Sequence, residues 1–458
     1  MIKPFEEVYK LDSITMNLTN NCNLRCIYCF EQNKSVKKDM MDVETAIDII
    51  DKAYSTHYVN PKFKNKFTIN FFGGEPFLNW ETMKAVVTHC KEKEYDVSFG
   101  VTTNLTILTD EMIQYIEDYD IFLLISIDGT KKVHDKNRCN SYDKVLENIN
   151  KLKDKGIARY IEARMTILPE DAYQMFESTK SIIDMGIDNV CPMAVTDVEW
   201  SDSSLQDYER EFSKLIDYYI ETVNTEGYNR NISIKNINDT IINIMAPEVS
   251  DEMLCAIFNN RWCALDTNGD IYPCHQLPTS DSETKKKNYI GNIYTGVEED
   301  MILKTPKKVT YYKDECDTCN AKGSCKGGCP QENFRLNHRE DEPSKAYCDL
   351  HKIIAKVVLN KQKEIMNSSN LRSRQLVLLK ENLKIKDYID LVFNETNLRD
   401  TLTTSTRLIK IKEMINNLGE EKILPTFKDY FEQKLVILAS VIVTENKMRQ
   451  SESLGIEI

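Results

Sequence analysis

The sequence predicts an α/β protein: a partial (β/α)6 barrel of the TIM type, then a small cysteine-rich domain, then a helical C-terminal extension. Three observations predict it. Six apolar strand-like runs alternate with amphipathic helical stretches over the first 200 residues, chemically loaded motifs fall at the ends of the first four runs, and eight of the fourteen cysteines gather between 255 and 348. The expected boundaries are 1–230, 231–358 and 359–458.

The strand candidates are Ser13 to Thr19, Phe67 to Phe72, Asp96 to Thr102, Ile121 to Ile127, Tyr160 to Thr166 and Asn189 to Ala194. Between them apolar residues recur with the helical period. Val43 to Tyr54 places Ala46, Ile49, Ile50 and Ala53 on one face behind Asp42 as N-cap, and Tyr142 to Lys155 is capped by Ser141 and stopped by Gly156. Such units in series imply a parallel sheet with right-handed crossovers, either doubly wound or curved. The motif positions favour the curved form. A cysteine loop follows the first strand, Gly73-Gly74-Glu75-Pro76 the second, Thr102-Thr103-Asn104 ends the third and Ser126-Ile127-Asp128-Gly129 the fourth. All lie at the carboxyl ends of parallel strands, the face on which barrels build active sites.

Composition narrows the chemistry. A chain of 458 residues buries a large core, and a net charge of -13 argues against a general nucleic-acid binder, which needs a basic surface. The longest apolar run, Leu435 to Val443, is too short to span a bilayer, and the N-terminus lacks a secretory pattern. The expected location is the cytoplasm, with no membrane partner. There thiols stay reduced, so clustered cysteines indicate metal rather than a disulfide framework.

The first cysteine group is Cys22, Cys26 and Cys29, in the segment NNCNLRCIYCFEQ. A four-iron cubane usually takes four cysteinates, so three leave one iron open to a small molecule. The second group is Cys255, Cys263, Cys274, Cys316, Cys319, Cys325, Cys329 and Cys348, enough for two further clusters. Within it Asn268-Gly269 signals a two-residue hairpin turn, which sets Cys263 opposite Cys274 with β-carbons about 4.5–5.5 Å apart. A structural zinc ribbon is the alternative for the C-x2-C knuckle, though no paired histidines accompany it.

With these motifs in place, residues 12 to 350 resemble the radical S-adenosylmethionine (SAM) enzymes. The carriers are C-x3-C-x2-C with Tyr28 before the third cysteine, and GGEP at the end of strand two. The resemblance implies a SAM-binding 4Fe-4S cluster on Cys22, Cys26 and Cys29, with Gly73, Gly74 and Glu75 at the cofactor's amino group. It implies that the reduced cluster cleaves the sulfonium, and that the resulting 5′-deoxyadenosyl radical takes a hydrogen atom from substrate. Glycines there let backbone approach a ligand closely, and Glu75 accepts a hydrogen bond from an ammonium. Asn104 and Ser126 are candidate contacts to the cofactor's carboxylate or ribose, with capping of the next helix as the other reading. Arg138 either faces the barrel mouth or is a solvated loop residue.

The later cysteines, C-x13-G-x4-C then C-x2-C-x5-C-x3-C and a final Cys, resemble the SPASM domain of peptide- and protein-modifying radical enzymes. Carried over, Cys255, Cys263, Cys274 and Cys329 hold one auxiliary cluster and Cys316, Cys319, Cys325 and Cys348 the other, for three 4Fe-4S clusters in all. An electron-transfer role and an external donor of the flavodoxin or ferredoxin type follow from that likeness. Sulfatase maturases carry a catalytic aspartate where this chain has His275, an imidazole able to serve as base. YPCHQL and GGCPQENF look more like maturases that join cysteine sulfur to carbon in ribosomal peptides, so the expected reaction is thioether formation on a peptide or protein substrate. Carbon–carbon cross-linking, epimerisation and formylglycine formation use the same scaffold. A non-catalytic iron–sulfur electron carrier is the rival outside the enzymes, and it needs no GGEP.

Three cysteines remain. Cys90 reads as helix core, while Cys139 and Cys191 fall near the expected mouth. Peptide maturases of this kind often begin with a leader-binding winged helix, for which the 21 residues before the first cysteine are expected to leave no room. The helical tail from 360 to 458, periodic at Leu408, Ile411 and Ile415, is the candidate replacement, with packing against the barrel the simpler use.

Overall fold

The computed structural model describes residues 2–30, 39–59, 66–157, 161–225, 232–245, 260–278, 282–298, 301, 314–322, 324–325, 327–339, 341–361 and 364. Cys255 and the tail beyond 364 lie outside the described residues, and with them the expected role of that tail. The chain forms two compact units, one of residues 1–211, 251–317 and 326–350 and the other of 212–250, 318–325 and 351–458.

The strands are β1 (Ile2–Lys3), β2 (Ser13–Thr19), β3 (Phe67–Gly73), β4 (Val97–Thr103), β5 (Phe122–Ser126), β6 (Ile161–Ile167), β7 (Asn189–Ala194), β8 (Ser233–Ile234), β9 (Trp262–Leu265), β10 (Asp270–Tyr272), β11 (Gly291–Asn292) and β12 (Gly296–Glu298). The first unit orders them β1-β12-β11-β10-β9-β2-β3-β4-β5-β6-β7, with β2 to β7 successive and parallel. The six predicted strands are these six, within a residue or two at each end. Tyr160, the predicted start of β6, lies outside the described residues.

Helices α1 (Phe5–Val8), α2 (Val43–Ser55), α3 (Trp80–Glu92), α4 (Asp110–Asp118), α5 (Lys131–Asn137), α6 (Tyr142–Asp154) and α7 (Met175–Asp184) fill the connections. Asp42 caps α2 through Thr45 N at 2.8 Å, and Ala46, Ile49, Ile50 and Ala53 are fully buried. Each such isoleucine contributes about 1.5–3 kcal/mol of burial. Ser141 precedes α6 but does not cap it: its Oγ donates to the Arg138 carbonyl at 2.7 Å instead.

Alternation along the strands is the property that makes a site. One face, including Ile14, Met16, Leu18, Phe67, Ile69, Phe71, Leu123 and Ile125, is almost fully buried. The other carries Thr15, Asn17, Asn70, Ser98, Ser126, Glu162, Arg164 and Thr166. Sheets covered by helices on both sides read as continuous apolar runs, so a polar second face lines a hollow rather than a packed layer. The sheet also curls. Arg164 on β6 acts electrostatically on His275, just past β10, although β6 and the neighbouring β9 are five strand steps apart, about 24 Å in a flat sheet.

The β9–β10 hairpin departs from expectation. Asp266 N bonds the Asp270 carbonyl, Gly269 N bonds the Asp266 carbonyl and Gly269 has φ +82°, so the loop has three residues with glycine in the left-handed position. The register becomes Ile271 opposite Leu265 and Tyr272 opposite Ala264. Continued two residues, it sets Cys274 against Trp262, not Cys263. A one-residue slip turns a side chain to the other face. Accordingly Cys274 packs with Ala264, Tyr272 and Trp262, while Cys263 lies beside Ile14 in register and close to Tyr9.

In the second unit the C-terminal part of α8 (Asp202–Thr225), strand β8 and α9 (Lys235–Met245) are tied by Tyr219 OH on Asn238 Oδ1 at 2.6 Å and Asn238 Nδ2 on Ser233 Oγ at 2.9 Å. Lys361, just past α10 (Lys345–Asn360), pairs with Asp217 at 2.6 Å. No described helix is long and apolar enough to cross a membrane.

Candidate active site

The loop after β2 carries Cys22, Cys26 and Cys29, all half-buried. Polar donors surround its sulfurs. Leu24 N lies 3.4 Å and Asn104 Nδ2 3.8 Å from Cys22 Sγ, and Arg138 Nη1 lies 3.8 Å from Cys26 Sγ. Donors to sulfur favour the thiolate and tune a cluster held by it. The loop is anchored on its far side by Ile27 N on the Asn137 carbonyl at 3.0 Å and Arg25 N on Cys139 Sγ at 3.2 Å.

The GGEP turn at the end of β3 is built against this loop. Gly74 N bonds Thr19 O and Glu75 N bonds Asn21 O, each at 2.8 Å. A Cβ on Gly74 would lie 2.2 Å from Asn21 O, and one on Gly73, whose φ is +130°, 2.2 Å from Thr19 O. The glycines therefore let two protein segments meet, where the sequence suggested approach to a ligand. Gly74→Ala is expected to push the cysteine loop aside and to lower both cluster iron content and SAM affinity by about tenfold or more. Iron assay and equilibrium dialysis on anaerobically prepared protein measure both, and unchanged values would contradict the packing described.

Glu75 is 1% exposed and meets no cation among the described residues. Its Oε1 accepts from Thr103 Oγ1 at 2.7 Å and Phe77 N at 3.2 Å, and its Oε2 from Asn104 N at 2.7 Å. Burial pushes its pKa up to about 7 despite those three bonds. A buried carboxylate with one lone pair left on Oε2 suits a ligand that brings an ammonium.

Asn104 reaches forward rather than capping. Its Oδ1 accepts from Thr106 N, its Nδ2 donates to Asn23 Oδ1 at 2.9 Å, and α4 is capped by Thr109. Ser126, half-buried on the polar face, is not a cap either, since α5 begins after Thr130. Arg138 is 6% exposed, so the solvated reading fails. Its Nε pairs with Asp128 Oδ2 at 3.1 Å and its guanidinium lies over the Tyr28 ring at 5.2 Å. Burial lowers its pKa, but Asp128, Tyr28 and Cys26 outweigh it and the net shift is upward.

Asp128 joins these parts and was passed over in the sequence. Fully buried, it also accepts Tyr28 OH at 2.5 Å and Thr166 N at 3.0 Å. Its position beside Ser126 in the strand-four motif was the available signal. Behind it His134 Nδ1 accepts Asp128 N at 3.3 Å, which leaves Nε2–H for Ser141 Oγ at 2.9 Å. Burial first, then Arg138, lowers the His134 pKa from 6.5 to about 4. A histidine neutral when folded binds its proton more readily when unfolded, so stability is full above 6.5 and is lost as pH falls towards about 4. The loss is expected to reach at most about 3 kcal/mol, and His134→Gln should flatten that limb in urea unfolding across pH.

His275 stands on the same polar side. Its ring lies 4.7 Å from Phe72 and 6.3 Å from both Phe30 and Trp262, all edge-on. Burial, then Arg164, lowers its pKa to about 4, so the imidazole is neutral. Cys191 is buried on β7, Cys90 is buried in α3 and Cys139 is exposed. Among the second cysteine group Cys316, Cys329 and Cys348 fall in the first unit, and Cys319 and Cys325 in the second. Among the described residues no three His, Cys, Asp or Glu side chains converge as a single metal ion requires. A four-iron cluster holds its thiolates further apart than one ion does.

A six-strand parallel core with this cysteine loop at its open end defines a class. Residues 16–182 match the radical SAM superfamily, so the chain carries a radical SAM domain and is an enzyme, and its relatives are of the SPASM type. It is similar to the radical SAM cyclopropyl synthase TigE of Paramaledivibacter caminithermalis, 23% identical over 80% of this chain and 77% of the other. It is also similar to the cysteine-type anaerobic sulfatase-maturating enzyme of Clostridium novyi, 22% identical over 73% of this chain and 91% of the other. Among solved structures, anSMEcpe with bound AdoMet and the Cp18Cys peptide superposes with a TM-score of 0.62, covering 78% of this chain and 99% of that one at 19% identity.

Proposed function

We propose that this enzyme modifies a ribosomally made peptide or a protein, and that its reaction joins a cysteine sulfur to carbon as a thioether. The observation that carries the site is Glu75: a buried carboxylate that meets no cation among the described residues, set against the three-cysteine loop by two glycines. Cys22, Cys26 and Cys29 would hold the SAM-binding cluster, Gly73, Gly74 and Glu75 would receive the cofactor's amino group, and Ser126, Asn104, Arg138 and Tyr28 would line the rest of its seat. When bound, cluster and SAM together supply a hydrogen-abstracting radical.

The chain's own residues position and shield. Arg138 and Asn104 donate towards the cysteine sulfurs, and Asp128 fixes Arg138 and Tyr28. His275, neutral and enclosed by Phe30, Phe72 and Trp262, is the candidate proton acceptor and one wall of the substrate recess. The same burial that keeps it neutral makes it a weak base. Two auxiliary clusters on the later cysteines would carry electrons away, with a flavodoxin- or ferredoxin-type donor supplying the first one. Cys263 fits its assigned cluster poorly, since it is buried on the face opposite Cys274.

The thioether reading is supported by YPCHQL and GGCPQENF. The similarity to a cyclopropyl synthase favours carbon–carbon bond formation as the second reading. Mass spectrometry of a cysteine-containing peptide encoded beside the gene, after anaerobic incubation with enzyme, reductant and SAM, separates them. A thioether removes two hydrogens per bond and blocks that cysteine to alkylation; a carbon–carbon link removes two and leaves the thiol alkylatable; epimerisation changes no mass.

A further inference from the structure

We infer that Arg164 binds a carboxylate on the substrate peptide, so that an aspartate or glutamate side chain is held beside His275 at the open face of the sheet. The inference rests on the peptide-modifying reading and specifies its substrate. Arg164 is half-buried on the polar face of β6, between Ser126 and Cys191 in register. Among the described residues its one side-chain hydrogen bond is from Nη1 to Cys191 Sγ at 3.6 Å, and a thiol sulfur is a weak acceptor. Arg138, Arg210, Arg261, Arg335 and Arg339 each meet a carboxylate. Arg164 meets none within ion-pair distance among the described residues. The nearby Glu332 is engaged by Thr196 Oγ1 and feels Arg164 only at longer range.

A guanidinium withdrawn from water without an anion is costly, and its planar fork fits a carboxylate through two parallel bonds. The aromatic cluster of His275 with Phe72, Phe30 and Trp262 offers an apolar neighbour on one side. The cofactor's own carboxylate is the other source of that chemistry. Ser126, beside Arg164 in register, belongs to the proposed cofactor seat, so the SAM-affinity measurement below separates the two sources; the action of Arg164 on His275 favours the substrate side.

The test uses full-length, cluster-loaded protein with SAM and three fluorescent nine-residue peptide pools, alike except for a central Asp, Asn or Lys. By anisotropy the parent is expected to bind the Asp pool about tenfold tighter than the Asn pool, the effect of one charge-assisted hydrogen bond. Arg164→Glu should invert the order and favour the Lys pool, which a merely structural role would not do. Arg164→Lys should keep the Asp preference, and it decides the matter if the Glu variant binds no pool. Absence of an Asp preference in the parent overturns the inference, as does one that survives Arg164→Glu. So does a fall in SAM affinity in Arg164→Lys with pool preferences unchanged, which would assign Arg164 to the cofactor. The broader reading fails separately, if reduced parent enzyme forms no 5′-deoxyadenosine from SAM.

Discussion

Cys26→Ala abolishes reductive cleavage of SAM: 5′-deoxyadenosine formation by dithionite-reduced, anaerobically reconstituted enzyme is expected to fall by about 100-fold or more. The three-cysteine loop has no spare thiolate to lose, and Cys26 is the one whose sulfur Arg138 faces at 3.8 Å. Iron content should drop with the activity. Cys90→Ala is the matched control, because Cys90 is buried in α3 and burial, then Asp51, pushes its thiol up to about 12, far from any thiolate role. A Cys26→Ala protein that cleaves SAM at the parent rate would remove the basis of the functional assignment.

The largest stability effect is expected at Asp128. Asp128→Ala removes the partner of a guanidinium that is only 6% exposed, together with the acceptors of Tyr28 OH and Thr166 N. Breaking a buried pair from one side costs about 3–5 kcal/mol, since the remaining charge stays desolvated. Urea unfolding of the parent and variant measures it. Pairing Asp128→Ala with Arg138→Met should recover part of the loss, the coupling expected of side chains in one network. A single variant within about 0.5 kcal/mol of the parent would mean that Arg138 finds another partner or water.

Much of the candidate site could be read directly. The three-cysteine loop, GGEP and the strand ends are short segments whose spacing carries their chemistry, and the six parallel strands announce themselves by alternating with helices. The hairpin shows where this fails. Asn268-Gly269 marks a turn, but whether its loop has two residues or three is decided by Asp266 and Asp270 closing across it. That single residue reverses Cys263 relative to Cys274. Ser141 fails similarly, because its hydroxyl donates to the Arg138 carbonyl and accepts from His134 rather than from the helix.

By itself the sequence determined the class of chemistry, because thiolate number and spacing are properties of a continuous segment. It also determined the parallel core, because hydrophobic period is local. Only the tertiary structure decided which polar residues stand together beside those cysteines. Asp128 and Arg138 are ten residues apart, Tyr28 a hundred from Asp128, and His275 packs on Phe72 and feels the charge of Arg164. Burial and pairing across such separations depend on how the sheet curls, and no local pattern encodes that curvature.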